Sequence, residues 1–217
     1  MDKRIVVALL GGLLTTTASA ATGRAGDYSI LGAETVAPGN DVLSGQAGWP
    51  DTSFMFTHGV RNNFDLGVRL SFIYGVENRT DVNSQFGLGL AVPLRWALAP
   101  AGTVKFLFHV DPGLKLYTTN PAAFGFQAPF GLNLEFPATP PLRIGVGADF
   151  DLTLGVTGPT VPIFFFGPLI GPWLEYKVDP RVTIGIDTRF GAIIAAGNGN
   201  TDSGFGLRVE GVVAYRM

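Results

Sequence analysis

The chain has 217 residues, of which 47% are hydrophobic and only 15% charged, with a formal net charge of −2. A soluble domain usually carries about 25% charged residues, so little ionic surface is available to hold this chain in water, and so apolar a composition excludes disorder. The weakly acidic balance argues against a nucleic-acid partner, and the absence of cysteine removes disulfides, thiol catalysis and Cys-ligated zinc.

The N-terminus opens with the short basic stretch Met1–Arg4, then the apolar run Ile5–Leu14 and the small-residue triplet Ala18–Ala20. This is the pattern of a Sec-type signal peptide over residues 1–20, cleaved near Ala20. The apolar run is too short for a spanning helix, which needs roughly 20 residues. Residues 21–39 read as a flexible periplasmic lead-in, and residues 40–217 as the folded unit. The uncharged stretch Leu152–Leu174 is interrupted by Pro159, Pro162, Pro168 and Pro172, which rules it out as a helix.

Two weakly patterned strands, Asp41–Trp49 and Ser53–Val60, flank Pro50-Asp51. Eight strongly alternating segments follow: Phe64–Tyr74, Phe86–Leu98, Val104–Leu116, Phe124–Phe136, Leu142–Val156, Pro162–Val178, Val182–Ile194 and Phe205–Met217. Period-two alternation puts each residue set on one face of a strand. Across these eight segments the apolar column has 58 positions and no charge, whereas the other column has 50 positions and 17 charges. That partition is the strongest signal in the chain.

The segments exceed the ~5–6 residues typical of soluble strands and suit a tilted bilayer crossing of roughly 9–11. A charge facing lipid at mid-bilayer costs about 2–4 kcal/mol, which accounts for the empty column, and only a closed barrel leaves no strand edge unsatisfied in lipid. The expected fold is therefore an all-β, closed, up-and-down antiparallel transmembrane β-barrel of ten strands, with eight strands and an N-terminal arm as the alternative. The longest connections, Gly75–Gln85 and Ala195–Gly204, fall on one side and read as external loops, leaving the C-terminus in the periplasm.

The polar column predicts an ion-paired lumen lined by Asp65, Arg69, Arg95, Lys105, His109, Asp111, Lys115, Glu135, Arg143, Asp149, Asp151, Glu175, Asp187, Arg189, Arg208 and Glu210. Inward glycines leave room for the long Arg and Lys side chains. Tyr74 and Tyr117 at one end, and Trp96, Tyr176 and Tyr215 at the other, are expected to form interface girdles.

In this architecture the chain resembles small bacterial outer-membrane β-barrel proteins of the 8- to 10-stranded, single-chain type. The resemblance runs from about Asp41 to Met217, plus the signal. Its most specific part is the last strand, where Phe205, Leu207, Val209, Val213 and Tyr215 alternate up to the chain end. Two departures are Met217, where the family usually ends in Phe, and Gly211 in the apolar column. The resemblance implies the outer membrane of a Gram-negative-type envelope, lipids as surroundings, and the barrel-insertion machinery as a partner through the C-terminal strand. It does not imply a substrate.

The chemistry reads as non-enzymatic, with no cofactor or metal. His109 shares a face with Lys105, Asp111 and Lys115 and reads as an ordinary lumen histidine. Asp149 and Asp151 read as members of an ion-pair network. Pro93, Pro129, Pro162, Pro168 and Pro172 lie within strands, where each removes a ladder donor; local bulges are expected, one of them in the long segment Pro162–Val178. The function expected is a small channel, passing small solutes, or a structural envelope component. The alternatives are a hydrophobic-ligand or lipid-handling barrel with lateral access through a proline-weakened wall, and a soluble secreted β-barrel.

Overall fold

The computed structural model describes residues 28–81, 85–118, 122–136, 138, 140–157, 161–197 and 199–217. The signal-peptide reading of residues 1–20 lies outside the described residues. Ten strands run up and down in chain order: β1 (Asp41–Trp49), β2 (Asp51–Arg61), β3 (Phe64–Ile73), β4 (Gly87–Ala91 continued by Leu94–Ala101), β5 (Val104–Val110 continued by Gly113–Tyr117) and β6 (Ala123–Gln127 continued by Phe130–Phe136), then β7 (Leu142–Thr157), β8 (Val161–Lys177), β9 (Val182–Gly197) and β10 (Asn200–Arg216). Each pairs antiparallel with its neighbours, and β1 pairs with β10 from Val42↔Arg216 to Trp49↔Val209, closing the ring. The two weak N-terminal segments are thus full members of the wall, and the eight-stranded alternative is excluded. β1 hides its alternation because its inner face carries Val42, Ser44 and Gln46 while its outer face includes Gly45 and Ala47.

The wall is inverted relative to a water-soluble protein. Leucine, isoleucine, valine and phenylalanine side chains such as Phe54, Leu70, Leu90, Phe126, Ile170 and Phe190 point outward and are exposed, whereas Asp65, Arg95, Asp149, Glu175, Asp187 and Arg189 are buried. A soluble barrel would place those apolar side chains in its centre; this one fills its centre with charge.

Prolines mark the irregularities. Three neighbouring strands break side by side, at Val92-Pro93 in β4, Asp111-Pro112 in β5 and Ala128-Pro129 in β6. Each proline lacks a backbone N–H, yet its carbonyl still accepts from the strand beside it: Gly67 N–H to Pro93 O at 2.8 Å, Val92 to Pro112 at 2.8 Å and Asp111 to Pro129 at 2.9 Å. The interruption is therefore bridged strand to strand, and inward–outward alternation carries through it.

The bulge expected in Pro162–Val178 is absent. β8 pairs with β7 without a slip from Leu142↔Tyr176 to Thr157↔Val161. On its other side the β8–β9 ladder keeps register but lacks pairs at Gly167-Pro168 and Gly171-Pro172. The prolines share one parity, so their missing donors face the same neighbour. The predicted external loop Ala195–Gly204 is mostly strand as well. β9 and β10 stay paired through Ala195↔Asp202 to Gly197↔Asn200, and Gly199, at φ 75°, supplies the left-handed turn residue.

Candidate functional site: a lumen filled from both ends

The candidate site is the barrel interior. At its middle, Asp149 of β7, Asp187 and Arg189 of β9 and Arg208 and Glu210 of β10 form one network. Arg189 bonds Asp187, Arg208 bonds Asp149, and Arg208 also reaches Asp187 at 3.2 Å. Arg189 Nη2 donates to Asn133 Oδ1 at 3.1 Å, and its Nη1 donates to Gly171 O at 3.1 Å, stapling one of the two gaps in the β8–β9 ladder from inside. His109 Nε2 lies 3.1 Å from Asp149 Oδ1, while Arg69 pairs with Asp111 at 2.8 Å. Small inward residues make this possible. A Cβ on Gly147 would sit 2.0 Å from Arg189 Nη2, and one on Gly131 would sit 2.2 Å from Asp149 Oδ1.

At the end where β10 finishes, residues 28–36 enter the lumen as a strap, with Tyr28 Oη donating to Arg181 O at 2.9 Å. Residues 28–36 of the expected flexible lead-in are therefore packed inside the barrel, while Pro38 and Gly39 are exposed. Buried carboxylates hold its backbone N–H groups: Glu175 accepts from Ile30 at 2.9 Å and Leu31 at 3.0 Å, Glu135 from Ala33 at 2.9 Å, and Asp65 from Val36 at 2.9 Å. Donors on the wall hold its carbonyls: Arg143 bonds Tyr28 O at 2.6 Å, Asn133 bonds Leu31 O at 2.8 Å, and Arg95 bonds Ser29 O at 2.8 Å and Gly32 O at 3.2 Å. Glu34 bonds Lys105 and Arg143 at the rim. Tyr28, Ile30, Leu31 and Val36 also join Val42, Met55, Trp173, Val212 and Ala214 in a small apolar cluster. Burying unpaired charge is costly; the strap lowers that cost by giving each carboxylate further donors.

At the opposite end a turn in the loop after β3 folds into the lumen. Glu77 and Asn78 take φ of 48° and 61°, as the two central residues of a type I′ turn do, with Val76 and Arg79 bridged across it. The tip points inward. Glu77 accepts from Lys115 at 2.7 Å, Tyr117 at 2.6 Å and Thr153 at 2.7 Å, and Asn78 bonds Asp151. Burial acts to raise the Glu77 carboxyl, but Lys115 and the three hydrogen bonds outweigh it and hold the group below the usual carboxylate range, so it is charged at neutral pH. Arg79 bonds Asp81 and reaches Asp202 at 2.8 Å.

Between strap and turn lies a polar cavity of about 140 Å³, bounded by Ile30 and Leu31 on one side and Glu77 and Asn78 on the other. It has room for several waters.

Every charged residue expected to line the lumen has its side chain on the inner face, with Lys105 at the rim. The partner of His109 is Asp149 rather than its strand neighbour Asp111. Of the expected girdle, Tyr74, Tyr176 and Tyr215 are exposed, and Trp96 stacks on Phe64 with ring centroids 4.9 Å apart. Tyr117 is a correction: it is 7% exposed and points inward onto Glu77. Its parity matches Lys115, two residues earlier, and that signal was readable. The strap, Glu77, Asn78, Asn133 and Trp173 lie outside the sequence-derived list. Comparison with protein-family models and with curated proteins finds no match. Fold and site together define a class, a closed ten-stranded antiparallel β-barrel with an apolar exterior and an ion-paired interior into which residues 28–36 and the Glu77-Asn78 turn are packed.

Proposed function

We propose that the chain is a non-catalytic outer-membrane β-barrel of a Gram-negative-type bacterium, closed at rest, serving as a structural component of the envelope. The observation that carries this reading is the inversion of the wall, with exposed Phe, Leu, Ile and Val outside and buried Arg, Asp and Glu inside. Lipid tails are the solvent in which such an exterior has the lower free energy. The alternating last strand suits recognition by the barrel-insertion machinery. The strap, the central network and the inward turn support closure at rest. A cavity of about 140 Å³ lies between strap and turn, and another of about 270 Å³ lies at the strap-side mouth beside Glu34, Lys105 and Arg143.

The other readings fare worse. A permanently open channel needs a continuous path, and the described interior is occupied at three levels. A lipid-handling barrel needs an apolar lumen beside a weak seam; the seam has its two gaps between β8 and β9, but the lumen behind it holds Arg189 and Asp187. A soluble secreted barrel requires the opposite polarity. The test is expression in a Gram-negative host followed by fractionation and bilayer recording. The expected result is a heat-modifiable band in the detergent-extracted outer-membrane fraction that produces no conductance steps at rest. A protein recovered from the aqueous periplasmic fraction would overturn the membrane reading, and steady conductance would overturn closure.

A further inference from the structure

We propose that the strap-side mouth of the barrel is a peptide-binding site that reads main chain, with residues 28–36 as a ligand bound in cis that a peptide of the same backbone can replace in trans. Four N–H groups and four carbonyls of the segment are held by wall side chains from Asp65, Arg95, Asn133, Glu135, Arg143 and Glu175. Contacts of this kind recognise a backbone path and tolerate changes in sequence. Among the described residues, 28–36 pair with no strand of the wall, so departure of the segment breaks no ladder bond.

The empty site also keeps its own charge partners. Asp65 faces Arg95 at 3.3 Å, Glu135 faces Lys105 at 3.4 Å and Glu175 faces Arg143 at 3.4 Å. Each of the three carboxylates is shared between the strap and a cation of the wall, which leaves two arrangements for the same groups. One position sets the ligand class. A Cβ on Gly32 would lie 2.4 Å from Glu135 Oε2, 2.6 Å from Ser29 Oγ and 2.9 Å from the Trp173 ring. The ligand is therefore a short peptide with glycine at that place, preceded by apolar residues that fill the positions of Ile30 and Leu31.

Gly32 belongs to the strap and not to the wall, so Gly32→Val displaces the ligand while leaving the receptor intact. The test uses the full-length Gly32→Val protein, folded in detergent, and a fluorescent peptide of residues 28–36 with the native glycine. It does not depend on the membrane reading, because detergent replaces lipid throughout. The expected result is that the peptide binds Gly32→Val about tenfold or more tightly than it binds wild type, whose site is already filled. N-methylation at the positions of Ile30 and Leu31, which removes both donors to Glu175, abolishes that binding. A cysteine replacing Leu31, in this cysteine-free chain, is protected from maleimide in wild type and labelled in the Gly32→Val background. Should Gly32→Val not fold, Ala33→Pro removes the donor to Glu135 and ejects the strap independently. A folded ejection variant that takes up no more peptide than wild type overturns the proposal, as does a Leu31→Cys that stays protected in it or an N-methylated peptide that binds equally well.

Discussion

Arg189→Ala is expected to cost the folded barrel about 3 kcal/mol, the lower part of the roughly 3–5 kcal/mol range for removing one partner of a buried ion pair. Arg189 is 1% exposed and lies against Asp187 and Asp149, so its loss leaves two buried carboxylates to share Arg208. The effect falls short of the upper value because Arg208 remains and the neighbouring cavity admits water. The measurement is reversible urea unfolding in lipid vesicles, with Asp187→Asn combined in a double-mutant cycle. Removing the orphaned charge should recover part of the loss, since residues in one network do not act additively. A loss within 0.5 kcal/mol, the usual scale of a surface substitution, would mean that the network contributes nothing to stability.

The second large effect lies on the opposite face. Ile170 is 53% exposed near the middle of β8. On a water-soluble protein an arginine would be nearly neutral there. On a lipid-facing wall Ile170→Arg should cost about 2–4 kcal/mol at mid-bilayer depth, measured by the same unfolding assay. The same substitution near a strand end should cost far less. A flat profile with depth would contradict the lipid-facing reading.

Much of this architecture was legible because a barrel wall is written in local code. Alternation needs only neighbouring residues, and one misplaced charge per strand would have spoiled it, so the empty apolar column fixed both the strands and the inward set. The strap was not legible for the opposite reason. Tyr28–Val36 has no periodicity, and its contacts are backbone atoms meeting Glu175, Glu135 and Asp65 across 29 to 145 residues of chain. Gly32 looks like any loop glycine until Trp173 and Glu135 are placed against it. The inward turn shows the same limit: Glu77 and Asn78 read as an external loop, and only Lys115, Tyr117 and Thr153 on two other strands reveal why the turn folds inward. Parity alone would have placed Tyr117. The tip of the β9–β10 hairpin reads as a loop because the apolar alternation stops at Ile194, although backbone pairing continues from Ala195↔Asp202 to Gly197↔Asn200.

The most direct measurement of the central claim compares two tryptophans on β8 in vesicles whose acyl chains carry bromine, a contact quencher. One variant keeps only the native Trp173, which is 2% exposed and faces the lumen; the other carries only Ile170→Trp, with Trp49, Trp96 and Trp173 replaced by Phe. The account predicts strong quenching at position 170 and weak quenching at 173, although the two are three residues apart on one strand. Equal quenching at both positions, or an emission at 170 that the brominated chains leave untouched, would contradict it.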